Sequence, residues 1–164
     1  MEPMFRWAQG FELVGKSVRT TNERNRSLVD QGELWRQCLE DGSLAGTGEA
    51  VGAYTDYVGD WTMPFTFTLG VRRCPETEKV PGGLCLAVPA GEYALFESEA
   101  PSPQEAASKV WLDIWGWQAS ATKRRLYRCD YELWDLAAMA SGRARVKVFV
   151  SVERIVRTAR KLIV

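Results

Sequence analysis

The segment DYELWD at residues 130–135 alternates between acidic and aromatic or apolar residues over part of its length and is the stretch best suited to chemistry. Successive side chains of a strand point to opposite faces, so Glu132 and Trp134 would share one face and Tyr131 and Leu133 the other. Two interpretations fit this pattern. Periodicity alone favours Tyr131 and Leu133 in the core and Glu132 on the surface. The alternative turns Glu132 and Trp134 inward, where a carboxylate would lie beside indole rings in a closed crevice.

A carboxylate among aromatic rings is suited to holding an organic cation. Each ring face attracts a cation by roughly 0.5–2 kcal/mol, depending on how far water is excluded. A flat apolar ligand that covers roughly 200 Å² of wall gains about 5 kcal/mol before its loss of freedom is counted. Contact area therefore dominates affinity, and the carboxylate decides which charge is accepted. Because burial raises the pKa of a carboxyl group, a neutral ligand could be tolerated when Glu132 takes up a proton.

Seven tryptophans among 164 residues are more than a plain core needs, although a Trp-rich core is the competing explanation. Trp buries a large area and carries an N–H that needs a partner, so it is often used on binding surfaces. The candidates for the wall of a ligand crevice are Trp35, Trp111, Trp115, Trp134, Tyr57, Tyr93 and Phe149. Core or sheet packing explains these rings as well, and Phe149 could also face solvent. Trp61, in an expected loop, could form a lid or pack on its own domain.

The composition excludes several classes of function. The chain has no His, so it lacks the usual general base near pH 7 and the commonest metal ligand. The four cysteines form no C-x-x-C pair, and we expect buried, reduced thiols with neither a metal nor a cofactor. Lys plus Arg and Asp plus Glu both number 21, so no bulk charge attracts nucleic acid. No signal peptide is recognised and no run approaches the roughly 18 apolar residues of a membrane span, which predicts a cytoplasmic protein.

The elements that must position these side chains occur in the same order twice. Alternating and β-branched patterns predict strands at 11–20, 51–58 and 65–69 in the first half, and at 84–88, 92–98, 129–136 and 146–153 in the second. Helices are predicted at 27–41 and at about 103–118. The second helix has a strong start signal, with Ser102 as the N-cap, Pro103 at the first position and Glu105 three residues past the cap.

Two pairs of residues indicate that this repeated order reflects an internal duplication. Trp35 and Trp111 hold equivalent places in the apolar stripes of the two helices and are 76 residues apart. Tyr54 and Asp130, near the starts of the strands that follow, are also 76 residues apart. One offset shared by two elements is typical of a repeat.

The whole chain, residues 1–164, is therefore expected to form one α+β domain with repeats at about 10–73 and 83–153. Each half is too small to bury a core comfortably by itself. Two such strand-helix-strand-strand units would merge into one antiparallel sheet with both helices on one face. This arrangement leaves a central ligand crevice between the helices, with the sheet as its floor.

Several short motifs, taken in order, resemble the gyrase-inhibitor-like effector-binding family over residues 10 to 153. The motifs are Tyr54-Thr55-Asp56-Tyr57, Gly59-Asp60, Phe67-Thr68-Leu69-Gly70, Pro89-Ala90-Gly91-Glu92-Tyr93-Ala94, Val110-Trp111 with Ile114-Trp115, and Tyr131-Glu132-Leu133-Trp134. The resemblance implies the duplicated fold, which is shared with ligand-sensing domains of multidrug-responsive transcription regulators. It also implies that a glutamate of the sixth strand lies in the pocket among aromatics. Glu132 is the matching residue, so the resemblance favours its inward orientation.

Two departures from the family pattern matter. Trp134 stands where the family often has Tyr, which favours larger aromatic ligands. Regulators of this type carry a separate DNA-binding domain, and we expect none here because the duplicated fold leaves no room for a helix-turn-helix. Any regulation would then act through a regulator or other protein partner in trans, with no direct nucleic-acid or membrane contact. We expect a monomer or a weak dimer.

Three hypotheses follow. The first is a stand-alone, non-enzymatic module that binds lipophilic, cationic aromatic compounds with Glu132 as counter-charge. The second, which the resemblance implies, is a hydrolase of strained electrophilic natural products that uses Glu132 with Tyr57 or Tyr93 as base and acid. The third is a protein inhibitor of a topoisomerase, although zero net charge gives no support to a DNA mimic.

Two basic segments each allow two interpretations. The loop 123–128, which contains three consecutive basic residues, is expected to be solvated, with an anion or protein contact as the alternative. The C-terminal segment 154–164 could dock on another subunit or be a frayed end.

Overall fold

The computed structural model describes residues 2–74, 83–119, 121 and 123–154. The strands in these ranges are β1 (Met4–Ala8), β2 (Phe11–Thr20), β3 (Glu49–Thr55), β4 (Phe65–Arg72), β5 (Leu84–Val88), β6 (Gly91–Ala100), β7 (Asp130–Asp135) and β8 (Ala144–Ser151). The α-helices are α1 (Arg26–Glu40), α2 (Pro103–Gln118) and the short α3 (Leu136–Ala140). None of the helices in these ranges combines the length and apolarity needed to span a bilayer.

These strands form one antiparallel sheet in the order β1-β6-β8-β7-β3-β4-β2-β5. β1 and β2 lie near opposite ends of this order although only two residues separate them, so the sheet must curl to bring its ends together. Ala8 pairs with Gly91 and Phe11 with Val88 in one continuous register. Gly10 lies where the segment between β1 and β2 crosses the segment between β5 and β6. A Cβ at residue 10 would come within 2.9 Å of the Ala90 backbone nitrogen. Only glycine fits this close approach.

Each face of the curled sheet carries a buried core. On one face, α1 and α2 pack on alternating strand residues and form a core with them, as period-two strands under amphipathic helices require. This helix-side core includes Leu34, Phe67, Leu69, Val110, Ile114, Val146 and Val148. The opposite face forms a second core that includes Leu13, Val51, Leu95, Tyr93, Tyr131 and Phe149.

The helix boundaries follow the local signals. Ser102 precedes α2, and its hydroxyl accepts a hydrogen bond from the Glu105 backbone N–H at 3.3 Å, so the predicted cap is confirmed. α1 begins after Arg24 and Asn25, which both have positive φ, and the chain turns at Gly42 with φ of 76°. Glycine adopts that left-handed conformation without a Cβ penalty.

The predicted fold is confirmed: it is α+β, with one antiparallel sheet and the two long helices on one face. β1 and α3 were not predicted. The repeat spacing of 76 residues, however, does not hold in the strands. β2 and β6 both have ten residues and are 80 apart (91 − 11), and β4 and β8 both have eight and are 79 apart (144 − 65).

The new spacing changes which residues are counterparts in the two halves. An offset of 80 makes Gly52 of β3 equivalent to Glu132 of β7, and these two residues also pair across the strands. Gly52 and Glu132 therefore lie at the pseudo-two-fold axis that relates the halves. Tyr54 and Asp130, taken as equivalent from sequence, are instead partners across the same ladder.

Two expectations about single residues need correction. Arg125 is buried, not part of a solvated loop, because it forms an ion pair with Asp130. Cys85 is exposed on the edge strand β5 and Cys74 is only partly buried, whereas Cys38 and Cys129 are buried as expected. Of the C-terminal segment, residues 155–164 lie outside the described residues.

Candidate functional site

A cavity of about 780 Å³ lies between α1 and α2. Its walls come from the two helices, and its floor comes from β3, β4 and β7. Five of the seven tryptophans line it: Trp35, Trp61, Trp111, Trp115 and Trp134. Tyr54, Tyr57 and Phe65 complete the aromatic lining.

The indoles are arranged as contacting ring pairs. Trp61 stacks on Trp115 with ring centroids 4.9 Å apart and an interplanar angle of 26°. Trp35 meets Trp134 edge to face at 5.8 Å, an arrangement that aromatic rings prefer. The Asn22 side-chain amide donates to the Trp61 carbonyl oxygen at 2.7 Å and fixes the loop that carries this ring. Trp61, weighed as a lid from sequence, thus lies against the cavity wall.

Glu132 lies on the floor of the cavity and is 2% exposed. Its place depends on Gly52, because a Cβ at residue 52 would come within 2.8 Å of Glu132 Oε1. The Tyr54 hydroxyl donates a hydrogen bond to that same Oε1 at 3.0 Å. One strand therefore leaves room for the carboxylate and also supplies its hydrogen-bond donor.

Burial raises the pKa of the Glu132 carboxyl group to about 7. The cause is desolvation, which disfavours the charged form. The Tyr54 hydrogen bond lowers the pKa in part, and the Trp134 N–H acts in the same direction without completing a hydrogen bond. A carboxyl group poised in this way exchanges its proton near neutral pH.

Three buried polar atoms at the cavity have no hydrogen-bond partner within the described residues: Glu132 Oε2, Trp115 Nε1 and Trp134 Nε1. Buried polar atoms are nearly always paired in folded proteins, so unpaired ones need an explanation. No ion pair joins Glu132 to a basic side chain in the described part of the chain. The site thus holds one acceptor and two donors whose partners are not supplied by those residues.

A buried ion pair lies beside this site. The Arg125 guanidinium lines the cavity, and its Nη2 lies 2.6 Å from Asp130 Oδ2. The Tyr57 hydroxyl donates to the same oxygen at 2.9 Å, and the Ser151 backbone N–H donates to Oδ1 at 2.7 Å. Both charged side chains are almost fully buried. Because Asp130 neutralises Arg125, Glu132 is the cavity's uncompensated acid.

The structure brings together six of the eight side chains proposed from sequence: Glu132, Trp134, Trp111, Trp115, Trp35 and Tyr57. Tyr93 and Phe149 do not line the cavity, which corrects that expectation. Both belong to the core on the opposite face, where Phe149 stacks on Tyr131 at 4.5 Å. The Tyr93 hydroxyl donates to the Pro89 carbonyl oxygen at 2.7 Å.

Sequence reasoning missed Tyr54, Arg125 and Asp130 as members of this site. Period two from Gly52 would have placed Tyr54 on the Glu132 side, once the register of β3 and β7 was known. Arg125 gave no local signal of burial, because a basic run with an acid five residues later is also typical of a solvated loop. Among the described residues, no group of three or more Cys, Asp or Glu side chains is arranged to hold a metal ion.

The family model described as Cass2, integron-associated effector binding protein, matches residues 8–147. YobU of Bacillus subtilis (strain 168), whose name assigns it provisionally to the transcriptional regulators, is 27% identical over 154 residues. That alignment covers 87% of this chain and 92% of YobU.

Two solved structures share the fold. The integron cassette protein VCH_CASS2 of Vibrio cholerae superposes with a TM-score of 0.75 at 24% identity, covering 93% of this chain and 96% of that one. The structure of SAV2435 bound to tetraphenylphosphonium superposes with a TM-score of 0.71 at 14% identity, covering 93% and 94%. At such identities these likenesses establish the architecture.

Proposed function

This chain belongs to the family of integron-associated effector-binding proteins, and on that premise we propose that it binds lipophilic organic cations, with Glu132 as their counter-charge. One observation carries the proposal. A carboxylate with an unpaired oxygen is buried on the floor of an aromatic cavity, where no basic side chain of the described residues neutralises it.

The charge balance of the cavity supports a cation as the guest. Arg125 and Glu132 are the charged residues among those lining it, and Arg125 is already paired with Asp130. An incoming anion would be repelled by ionised Glu132. At an effective dielectric constant of about 20, a unit cation roughly 5 Å from the carboxylate gains about 3 kcal/mol.

The walls supply most of the affinity. Indole faces attract cations more strongly than other aromatic rings do, and five indoles border this space. A volume of about 780 Å³ suits a compact polyaromatic molecule. SAV2435, which shares the fold, was solved with tetraphenylphosphonium bound, and that ion combines aromatic bulk with one positive charge.

Titration with three ions or molecules of similar aromatic bulk tests the proposal: tetraphenylphosphonium, its anionic counterpart tetraphenylborate, and neutral triphenylphosphine oxide. Calorimetry at pH 8 should give the tightest binding for the phosphonium and the weakest for the borate. Because the cation displaces the proton of Glu132, phosphonium affinity should rise with pH and level off above about 7. Equal affinities for all three probes would refute a counter-charge role.

Glu132→Gln is the matched variant, since it keeps the shape and removes the charge. It should weaken phosphonium binding by about 10- to 100-fold at pH 8, while phosphine oxide affinity changes by less than about twofold. Glu97→Gln is the control, because Glu97 is an exposed acid that pairs with Lys147. A similar loss of phosphonium binding in both variants would contradict a specific role for Glu132.

The hydrolase alternative gains no support from the geometry. It needs Tyr57 or Tyr93 beside Glu132, but the Tyr57 hydroxyl binds Asp130 and Tyr93 packs on the opposite face. The tyrosine beside Glu132 is Tyr54. Burial raises the pKa of Tyr54 well above its ordinary value, so Tyr54 is a poor proton donor.

A further inference from the structure

The Glu132 carboxylate is recessed beneath the aromatic rings. Oε1 already accepts the Tyr54 hydroxyl at 3.0 Å, whereas Oε2 has no partner and no exposure to solvent. The rings of the helices stand at the walls, and the carboxylate lies on the strand below them. The rings therefore border the cavity, whereas the charged oxygen is shielded from solvent.

The shape of a cation decides how well it meets such an oxygen. An ammonium N–H approaches a carboxylate oxygen to about 2.7–2.9 Å and forms a hydrogen bond about twice as strong as a neutral one. A quaternary nitrogen or a tetra-aryl phosphorus is enclosed by carbon, so its charge stays farther away and it donates no such bond. The same substituents also obstruct entry to a recess.

Resting on the proposed function, we infer that the site prefers one class of cation: arylalkyl ammonium ions that carry at least one N–H on a slender arm. The aromatic body packs among Trp35, Trp111 and Trp115, and the N–H reaches Glu132 Oε2. A small turn of the carboxylate or of the Trp134 ring opens the oxygen to the donor. A quaternary ion of the same scaffold binds through its charge and its rings alone.

One series on a 2-(1-naphthyl)ethyl scaffold separates these contributions. The dimethylammonium and trimethylammonium derivatives differ by one N–H, and the neutral tert-butyl derivative matches the trimethylammonium ion in shape. Calorimetry at pH 8 keeps the amine protonated and Glu132 largely ionised. We expect the dimethylammonium ion to bind at least about tenfold more tightly than the trimethylammonium ion, since a hydrogen bond to a charged group is at stake.

Two variants locate the preference. Glu132→Leu removes the charge and both acceptor oxygens, so it should bring the dimethyl-to-trimethyl ratio close to one. Trp35→Phe should weaken all members of the series and leave the ratio unchanged, because the Trp35 N–H is not among the unpaired buried atoms. A ratio that survives Glu132→Leu would overturn the inference, since the N–H would then be recognised elsewhere.

The outcomes also distinguish this inference from the function on which it rests. If both ammonium ions bind equally and more tightly than the tert-butyl compound, the N–H preference is wrong while the counter-charge role stands. If all three bind equally, both are wrong.

Discussion

The floor of the cavity is built from two strands that occupy equivalent places in the two halves of the molecule. β3 turns Ala50, Gly52 and Tyr54 towards the helices, and β7 turns Asp130, Glu132 and Trp134 towards them. The acids of the site thus come from the second half, whereas the first half contributes the space that Glu132 fills and the hydroxyl that binds it. A nearly symmetric scaffold carries an asymmetric site.

The reason for the asymmetry lies at the pseudo-two-fold axis. Gly52 and Glu132 are each other's counterparts and also neighbours across the ladder. Two glutamates at this point would place like charges in contact within a space that does not accept even one added methyl group. Duplication of such a fold permits one carboxylate at the axis, and its counterpart must be small.

Making the second half resemble the first at residue 130 should have the largest effect on the free energy of unfolding. Asp130→Ala copies Ala50 and leaves the buried Arg125 charge unpaired, which costs about 3–5 kcal/mol of unfolding free energy. Urea denaturation measures the loss. The double variant Arg125→Met with Asp130→Ala removes both charges and should be less destabilised than the single variant. A single variant that loses under about 1 kcal/mol would show that the ion pair is not what distinguishes the halves.

Neutralising Glu132, which lies at the pseudo-two-fold axis, should have the next largest effect. This change should raise the free energy of unfolding. The pKa of Glu132 rises from 4.5 to about 7 on folding, so between these values the folded state keeps a proton that the unfolded state has lost. Its contribution to the unfolding free energy is fully present below pH 4.5 and falls by about 3 kcal/mol as pH rises through 7. Glu132→Gln should therefore be more stable than the wild type at pH 8, by up to about 3 kcal/mol.

Denaturant titrations of both proteins from pH 4.5 to 8 check this expectation. The difference between variant and wild type isolates Glu132, because carboxyl groups such as Glu33 and Asp41 have lowered pKa values and act in the opposite direction in both proteins. A difference that does not change with pH would mean that Glu132 is not held in a neutral form.

Filling the space opposite the carboxylate should have the smallest of the three effects. Gly52→Ala places a Cβ 2.8 Å from both Glu132 Oε1 and a ring carbon of Phe67, which costs about 1–3 kcal/mol through overpacking. It should also weaken cation binding by displacing the carboxylate. Gly116→Ala in α2 is the control: a Cβ there meets nothing within 4 Å, so a gain of about 0.5–1 kcal/mol is expected. Equal behaviour of the two variants would remove the special role of Gly52.

The sequence predicted the elements well because their signals are local. Period two in β2, β4 and β8 and the capping residues of α2 depend on neighbours along the chain. The inward orientation of Glu132 could not be derived that way, since alternation assigns residues to faces without saying which face a cavity borders. The family resemblance, and not periodicity, pointed to the orientation that the structure has.

The residues that sequence reasoning misplaced share a physical cause. Tyr93 and Phe149 lie on the face opposite the helices, where the curl of the sheet creates a second core that alternation along one strand does not reveal. Arg125 lies in a run of basic residues that resembles a solvated loop, and its partners Asp130 and Tyr57 come from β7 and from the loop after β3. Asp130 lies only five residues from Arg125, so the pair of opposite charges was visible locally. Burial of that pair comes from the packing of distant elements, such as the loop that carries Tyr57, 68 residues away.

The crossing at Gly10 has a consequence for how such a protein can change. β1 leads into the first half but pairs with β6 of the second, and β5 leads into the second half but pairs with β2 of the first. Each half thus contributes one strand that pairs with the strands of the other half. Neither could be inherited, truncated or exchanged alone without leaving bare strand edges on both. Changes in ligand preference must then arise by substitution of residues, because the two halves of the sheet cannot be separated.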